Sequence, residues 1–153
     1  MIEQSLNFSN YTKTTNCYDF AMENGNPKQE YASQPGMKAG YSHPDFKDRT
    51  CPIIDERLQA DFKGTNIYAQ KNEKGEYSCP VHHNLVALVT HPERDYHFYK
   101  KIGSYWYHKP GQLPVQATDG AGKLITNPET ADRHSPPFHY TDFCGYYCLP
   151  IHK

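Results

Sequence analysis

Cys17 opens a short amphipathic stretch, Thr14-Thr15-Asn16-Cys17-Tyr18-Asp19-Phe20-Ala21-Met22. The thiolate is the nucleophile in cysteine chemistry, and the unpaired N–H groups at a helix start favour it. The same groups can hold an oxyanion during acyl transfer. Packing is the competing role, because free cysteine is often a small buried apolar residue. Phe20 and Ala21 fall on the same helical face as Cys17, at i+3 and i+4.

A nucleophilic cysteine needs an imidazole base, and the base needs an orienting group. Nine histidines compete for those roles. His43, His91 and His134 adjoin proline or serine in loops, His139 flanks an aromatic strand edge, and His152 is next to the last residue. His97 and His108 differ, since they fall on the two strands of one expected hairpin, 95–101 and 104–109. A loop centred on Ile102-Gly103 sets Lys101 opposite Ser104, Tyr99 opposite Trp106, and His97 opposite His108. Two imidazoles then lie side by side on one face. A three-residue loop instead sets His97 against Lys109 and turns His108 to the other face. The alternative is an exposed hairpin decorated with polar residues.

The elements that position these residues read as helices first and an antiparallel meander after. Thr14, Thr15 or Asn16 caps the first helix, and Asn24-Gly25-Asn26-Pro27 stops it. Pro52–Lys63 is a second helix with Ile54, Leu58 and Phe62 at spacing four, closed by Gly64. Leu85–Val89 is a continuous apolar run of strand length, suited to a strand covered on both faces. Val115–Thr118 and Gly145–Leu149 are further strands, and 127–137 is loop. This is an α+β layout, with N-terminal helices on a central antiparallel sheet, in a single domain over residues 1–153.

Composition narrows the partners. Sixteen basic and seventeen acidic residues give a net charge of −1, so no nucleic-acid footprint is present. No apolar run reaches the length of a membrane span. Thirteen tyrosines and seven phenylalanines offset a low aliphatic content and supply the core. The first residues lack a basic start and an apolar core, so no signal peptide is expected. That favours the cytoplasm or export by a non-classical route.

A cysteine opening an early helix, a histidine on a later strand, and a polar residue on the next strand form an arrangement that resembles the papain-like cysteine peptidases. It is most similar to the NlpC-type cell-wall peptidases and CHAP amidases. The matching stretches are Asn16–Ala21, Leu85–Val89, Asp95-Tyr96-His97-Phe98-Tyr99 and Trp106-Tyr107-His108-Lys109-Pro110-Gly111, within residues 14–120. The resemblance implies a hydrolase that cleaves an amide in a peptidoglycan peptide or a protein, with no cofactor. Cys17 is the implied nucleophile and His97 the base, with His108 or Asp119 holding the base. Tyr11 stands where papain has its oxyanion glutamine, six residues before the cysteine, and Asn16 is a further supporting candidate. A transamidase, deamidase or acyltransferase would use the same site with another acceptor. A non-enzymatic binding domain stabilised by metal is the reading from a different class.

Cys51, Cys79, Cys144 and Cys148 remain. No CxxC occurs, so no metal is assigned. Cys144 and Cys148 on one strand lie too far apart to bond to each other. Packing, zinc ligation and disulfides with other partners all stay open for the four.

Overall fold

The computed structural model describes residues 8–9, 11–25 and 30–151. The first helix among the described residues, α1 (Cys17–Met22), has only six residues. Its start is fixed by a capping box: Asn16 Oδ1 accepts the Asp19 N–H at 2.9 Å, and the Asp19 carboxylate accepts the Asn16 N–H at 3.1 Å. Its end comes at Glu23, which adopts a left-handed conformation (φ 57°), one residue before the expected stop at Asn24. The second helix, α2 (Cys51–Asp61), carries proline in its first turn and buries Ile54 and Leu58 completely.

Among the described residues eight strands follow: β1 (Gln70–Lys71), β2 (Tyr77–Ser78), β3 (His83–His91), β4 (Asp95–Ile102), β5 (Tyr105–Tyr107), β6 (His134–Ser135), β7 (Phe138–His139) and β8 (Asp142–Pro150). The main sheet has the order β5-β4-β3-β8, with all its neighbours antiparallel. The architecture is α+β. The meander β3-β4-β5 is as expected, but the last strand returns to the far side of β3. Strand alternation splits the core in two. Val86, Leu88, Tyr96 and Phe98 face both helices, whereas Ala87, Val89 and Tyr99 pack with Trp106, Ile125 and Tyr140 on the other face. β3 is therefore covered on both sides, as its unbroken apolar run requires.

The β4–β5 register differs from expectation. The pairs are Lys100–Tyr107, Lys101–Trp106 and Ile102–Tyr105, around a two-residue turn at Gly103-Ser104. Gly103 takes φ 64° there, which a two-residue hairpin turn favours. The expected pairings of Lys101 with Ser104, Tyr99 with Trp106 and His97 with His108 are not made. The displacement is two residues, however, and side chains repeat every two, so every residue keeps its face. The expected strand at Val115–Thr118 is also replaced. Gln116 bridges His108, and Thr118 bridges Leu124, without a continuous ladder. The 127–137 loop contributes β6 to a small hairpin.

Two disulfides join Cys51 to Cys144 and Cys79 to Cys148, leaving Cys17 as the free thiol. The first ties the start of α2 to β8, and the second ties the segment after β2 to the same strand. They close loops of 93 and 69 residues, lengths for which a cross-link removes much denatured-state entropy. Replacing Cys51 and Cys144 together by serine should lower unfolding free energy by about 2–5 kcal/mol. Urea unfolding under non-reducing conditions measures this.

Candidate functional site

β4 presents His97 on the face away from the helices, and His108 follows β5. Their rings meet as diagonal rather than direct neighbours, with His97 Nε2 and His108 Nδ1 2.8 Å apart. Long or aromatic side chains bridge such diagonals. His108 Nε2 lies 2.7 Å from the Thr118 carbonyl oxygen. That oxygen can only accept, which fixes the protons along the chain. Neutral His108 carries its proton on Nε2 and offers the Nδ1 lone pair. His97 therefore donates from Nε2 and keeps a lone pair on Nδ1. The result is a neutral imidazole held in the tautomer a general base needs.

Both rings are buried, at 4% and 8% exposure. Desolvation pushes His97 well below its usual pKa, and the neighbouring His108 pushes it further. Desolvation also lowers His108, although the Thr118 carbonyl and the charge of Asp119 oppose it. Tyr140 stacks on His97 with centroids 5.2 Å apart, and Tyr99 meets it edge-on at 5.1 Å. The Tyr140 hydroxyl donates to Asp95 at 2.5 Å, which fixes the stacking ring. These aromatics and the two imidazoles line a cavity of about 180 Å³, whose mouth includes Gln116, Asp119, Asp132 and Arg133.

Cys17 is the first residue of α1 and is 5% exposed. It packs with the helix-side core and does not line the cavity. It shares that core with Phe98, whose side chain faces the helices, opposite to the side chain of His97. β5 pairs with β4 only from Lys100 to Ile102, so it does not cover the β4 edge at Phe98. The expectation that the helix start makes this thiol acidic is overturned. Burial pushes it up to about 12, and Asp95 and Asp19 add to the rise, against the lowering by backbone groups of Phe98 and Tyr18. Six residues of helix are too little to offset complete desolvation.

The other expected residues separate from this group. Asp119 is not the partner of His97. Its Oδ1 accepts the N–H groups of Ala121 and Lys123, and its Oδ2 accepts that of Asp132. Desolvation would raise this carboxyl, but those backbone donors hold it below the usual range. It builds the cavity mouth and leaves the histidine position to His108. Asn16 is engaged as the helix cap, and its Nδ2 donates to the Ser33 carbonyl at 2.8 Å. Tyr11 packs edge-on against Phe20 at 5.1 Å rather than at the histidines, so it is not placed as an oxyanion donor. Burial, with Glu23 and Asp19, pushes its hydroxyl up to about 12.

Sequence reasoning missed three contributors. Thr118 acts through its carbonyl, for which side-chain type gives no signal. Tyr140 reaches His97 across a long loop. Lys109, by contrast, had a visible signal: it is a lysine beside His108, directly after the aromatic strand Tyr105–Tyr107. Its ammonium is buried and donates to the carbonyls of Thr15 and Gly111 at 2.5 and 2.7 Å.

No family model matches the chain, and no solved structure matches it. A curated relative does. Insoluble matrix shell protein 1 of Ruditapes philippinarum is 44% identical over 63 residues, which is 40% of this chain. The match also spans 40% of that protein's own length.

The histidine pair predicts acid lability. Folded His97 and His108 resist protonation, whereas the unfolded chain takes up protons below its pKa of about 6.5. Their contribution to stability is complete above that value and is lost as pH falls beneath it. Melting temperature should drop by several degrees between about pH 7.5 and about pH 5. The double variant His97→Gln, His108→Gln should show a shallower drop, with carboxylate effects common to both proteins.

Proposed function

We propose that the chain is a papain-like cysteine hydrolase of the NlpC type, acting on an amide bond in a peptide or protein. The single observation carrying this reading is the hydrogen-bonded order His97, His108, Thr118 carbonyl. That order leaves His97 neutral and with a lone pair on Nδ1, the form a base must have. In the proposed reaction Cys17, which packs on the helix side of the sheet, must first reach the cavity round the β4 edge, and His97 then takes its proton as the sulfur attacks the amide carbonyl. The Cys17 N–H, free of helix bonding in the first turn, helps hold the oxyanion. His97 then gives the proton to the leaving amine, and water releases the acyl group from sulfur. The thiol is neutral at rest, so deprotonation accompanies attack instead of preceding it.

The disulfides favour an oxidising, extracellular place of action over the cytoplasm. A second reading, a non-enzymatic domain of an extracellular matrix, is favoured by the buried thiol and by the name of the partly similar shell protein. Transfer to an amine in place of water needs no change in the site.

The test is incubation with a mixed peptide library, including peptidoglycan-type peptides, and mass spectrometry for new amine and carboxyl ends. Cleavage should disappear in Cys17→Ser and fall by about 10²–10⁴ in His108→Phe. No cleavage by the wild type, or cleavage that survives Cys17→Ser, favours the matrix reading.

A further inference from the structure

Lys109 is a buried charge without a carboxylate partner among the described residues. Its side chain is 0% exposed, yet among the described residues its ammonium meets only the two backbone carbonyls of Thr15 and Gly111. Among the described residues no carboxylate lies within ion-pair distance of it. Taking an ammonium out of water is costly unless negative charge faces it, and an apolar side chain of similar length would fill the same space. Lys100 makes the contrast. It is also buried, but it lies 4.0 Å from Glu23 and over the Phe20 ring.

The position of Lys109 supplies the missing purpose. Thr15 is two residues before Cys17, and His108 is the residue before Lys109. Consecutive residues therefore serve the two sides of the sheet edge, an imidazole toward His97 and an ammonium toward the approach to Cys17. The charged and titratable groups around the sulfur are Asp19 on α1, and Asp95, Tyr96 and Tyr99 on β4, with Tyr140 beyond them. Cys17 and Asp19 in turn bear on the ammonium. The two carboxylates oppose negative charge on the sulfur, whereas the Lys109 ammonium, held at the Thr15 carbonyl two residues from Cys17, is a charge of the opposite sign beside the same segment.

We propose that Lys109 is a positioning residue that also supplies a standing charge. Through Thr15 it fixes the segment that delivers Cys17, and its ammonium stabilises negative charge as this forms on the sulfur. The proposal rests on Cys17 being the nucleophile.

Alkylation of Cys17 by iodoacetamide tests it without an amide substrate. The Sγ–C bond forms, iodide leaves, and the thiol proton passes to a base. Rates are followed by peptide mass against pH for wild type, Lys109→Gln and Lys109→Arg. The glutamine variant should react about tenfold more slowly than wild type near neutral pH, and the arginine variant within about threefold of wild type. The glutamine deficit should shrink as pH rises toward 10.5, because the wild-type ammonium then loses its proton. Arginine keeps its charge there and should overtake wild type. A glutamine deficit that is absent, or constant with pH, overturns the proposal. If the glutamine variant does not fold, the arginine variant decides alone: failure to overtake wild type at alkaline pH overturns the charge role. Because no hydrolysis is measured, a chain inactive on amides and a lysine indifferent to sulfur are separate results.

Discussion

The grip of the β4–β5 hairpin on α1 is the contact on which the site depends. Six residues form too short a helix to persist alone, since nucleation is costly and only a few internal hydrogen bonds follow. The hairpin holds it from both ends. Lys109 donates to the Thr15 carbonyl just before the helix, and Lys100 donates to the Phe20 carbonyl near its end at 2.8 Å. An ammonium at a helix C-terminus also meets the negative end of the macrodipole. The two lysines lie either side of the Gly103 turn, so one tight hairpin sets the distance between the two anchors. Phe8 and Tyr11 close over Phe20 from outside.

A second constraint is the Thr118 carbonyl. Two imidazoles in contact have several proton arrangements, and a carbonyl acceptor selects one. The choice is made by backbone, in a segment held by the His108–Gln116 and Thr118–Leu124 bridges and by Asp119 tying its own loop. Arg133 steadies the opposite wall, donating to the carbonyls of Pro128, Glu129, Tyr140 and Thr141. The irregular loops thus do for the imidazoles what a ladder would do in a regular sheet.

The face of each strand residue was legible in the sequence; the partner of each was not. The turn at Gly103-Ser104 moved every β4–β5 pair by two positions. His97 and His108 still met, because their shared face depends on parity and their rings span a diagonal. Had the displacement been one residue, the pair would have been lost. The helix cap was legible too, since Asn16 and Asp19 have the types and spacing of a capping box. The thiol's acidity was not, because a helix start favours the thiolate and burial disfavours it, and only packing tells which is larger. The cysteine partners and the role of Tyr140 depend on the course of residues 110–141, where no periodicity guides the eye. Asp119 read as an alternative to His108 because residue type does not reveal that its oxygens are filled by backbone N–H groups.

Both cross-links draw a cysteine from β8, the last strand of the sheet. During synthesis, Cys51 and Cys79 leave the ribosome long before Cys144 and Cys148, with Cys17 already ahead of them. Between residues 79 and 144 the three available thiols have only wrong partners. β3 meanwhile lacks its second neighbour. Docking of α1 onto β4 buries Cys17, the free sulfur, out of reach of exchange in the folded state. The packing that raises its pKa is then also a safeguard for correct oxidation.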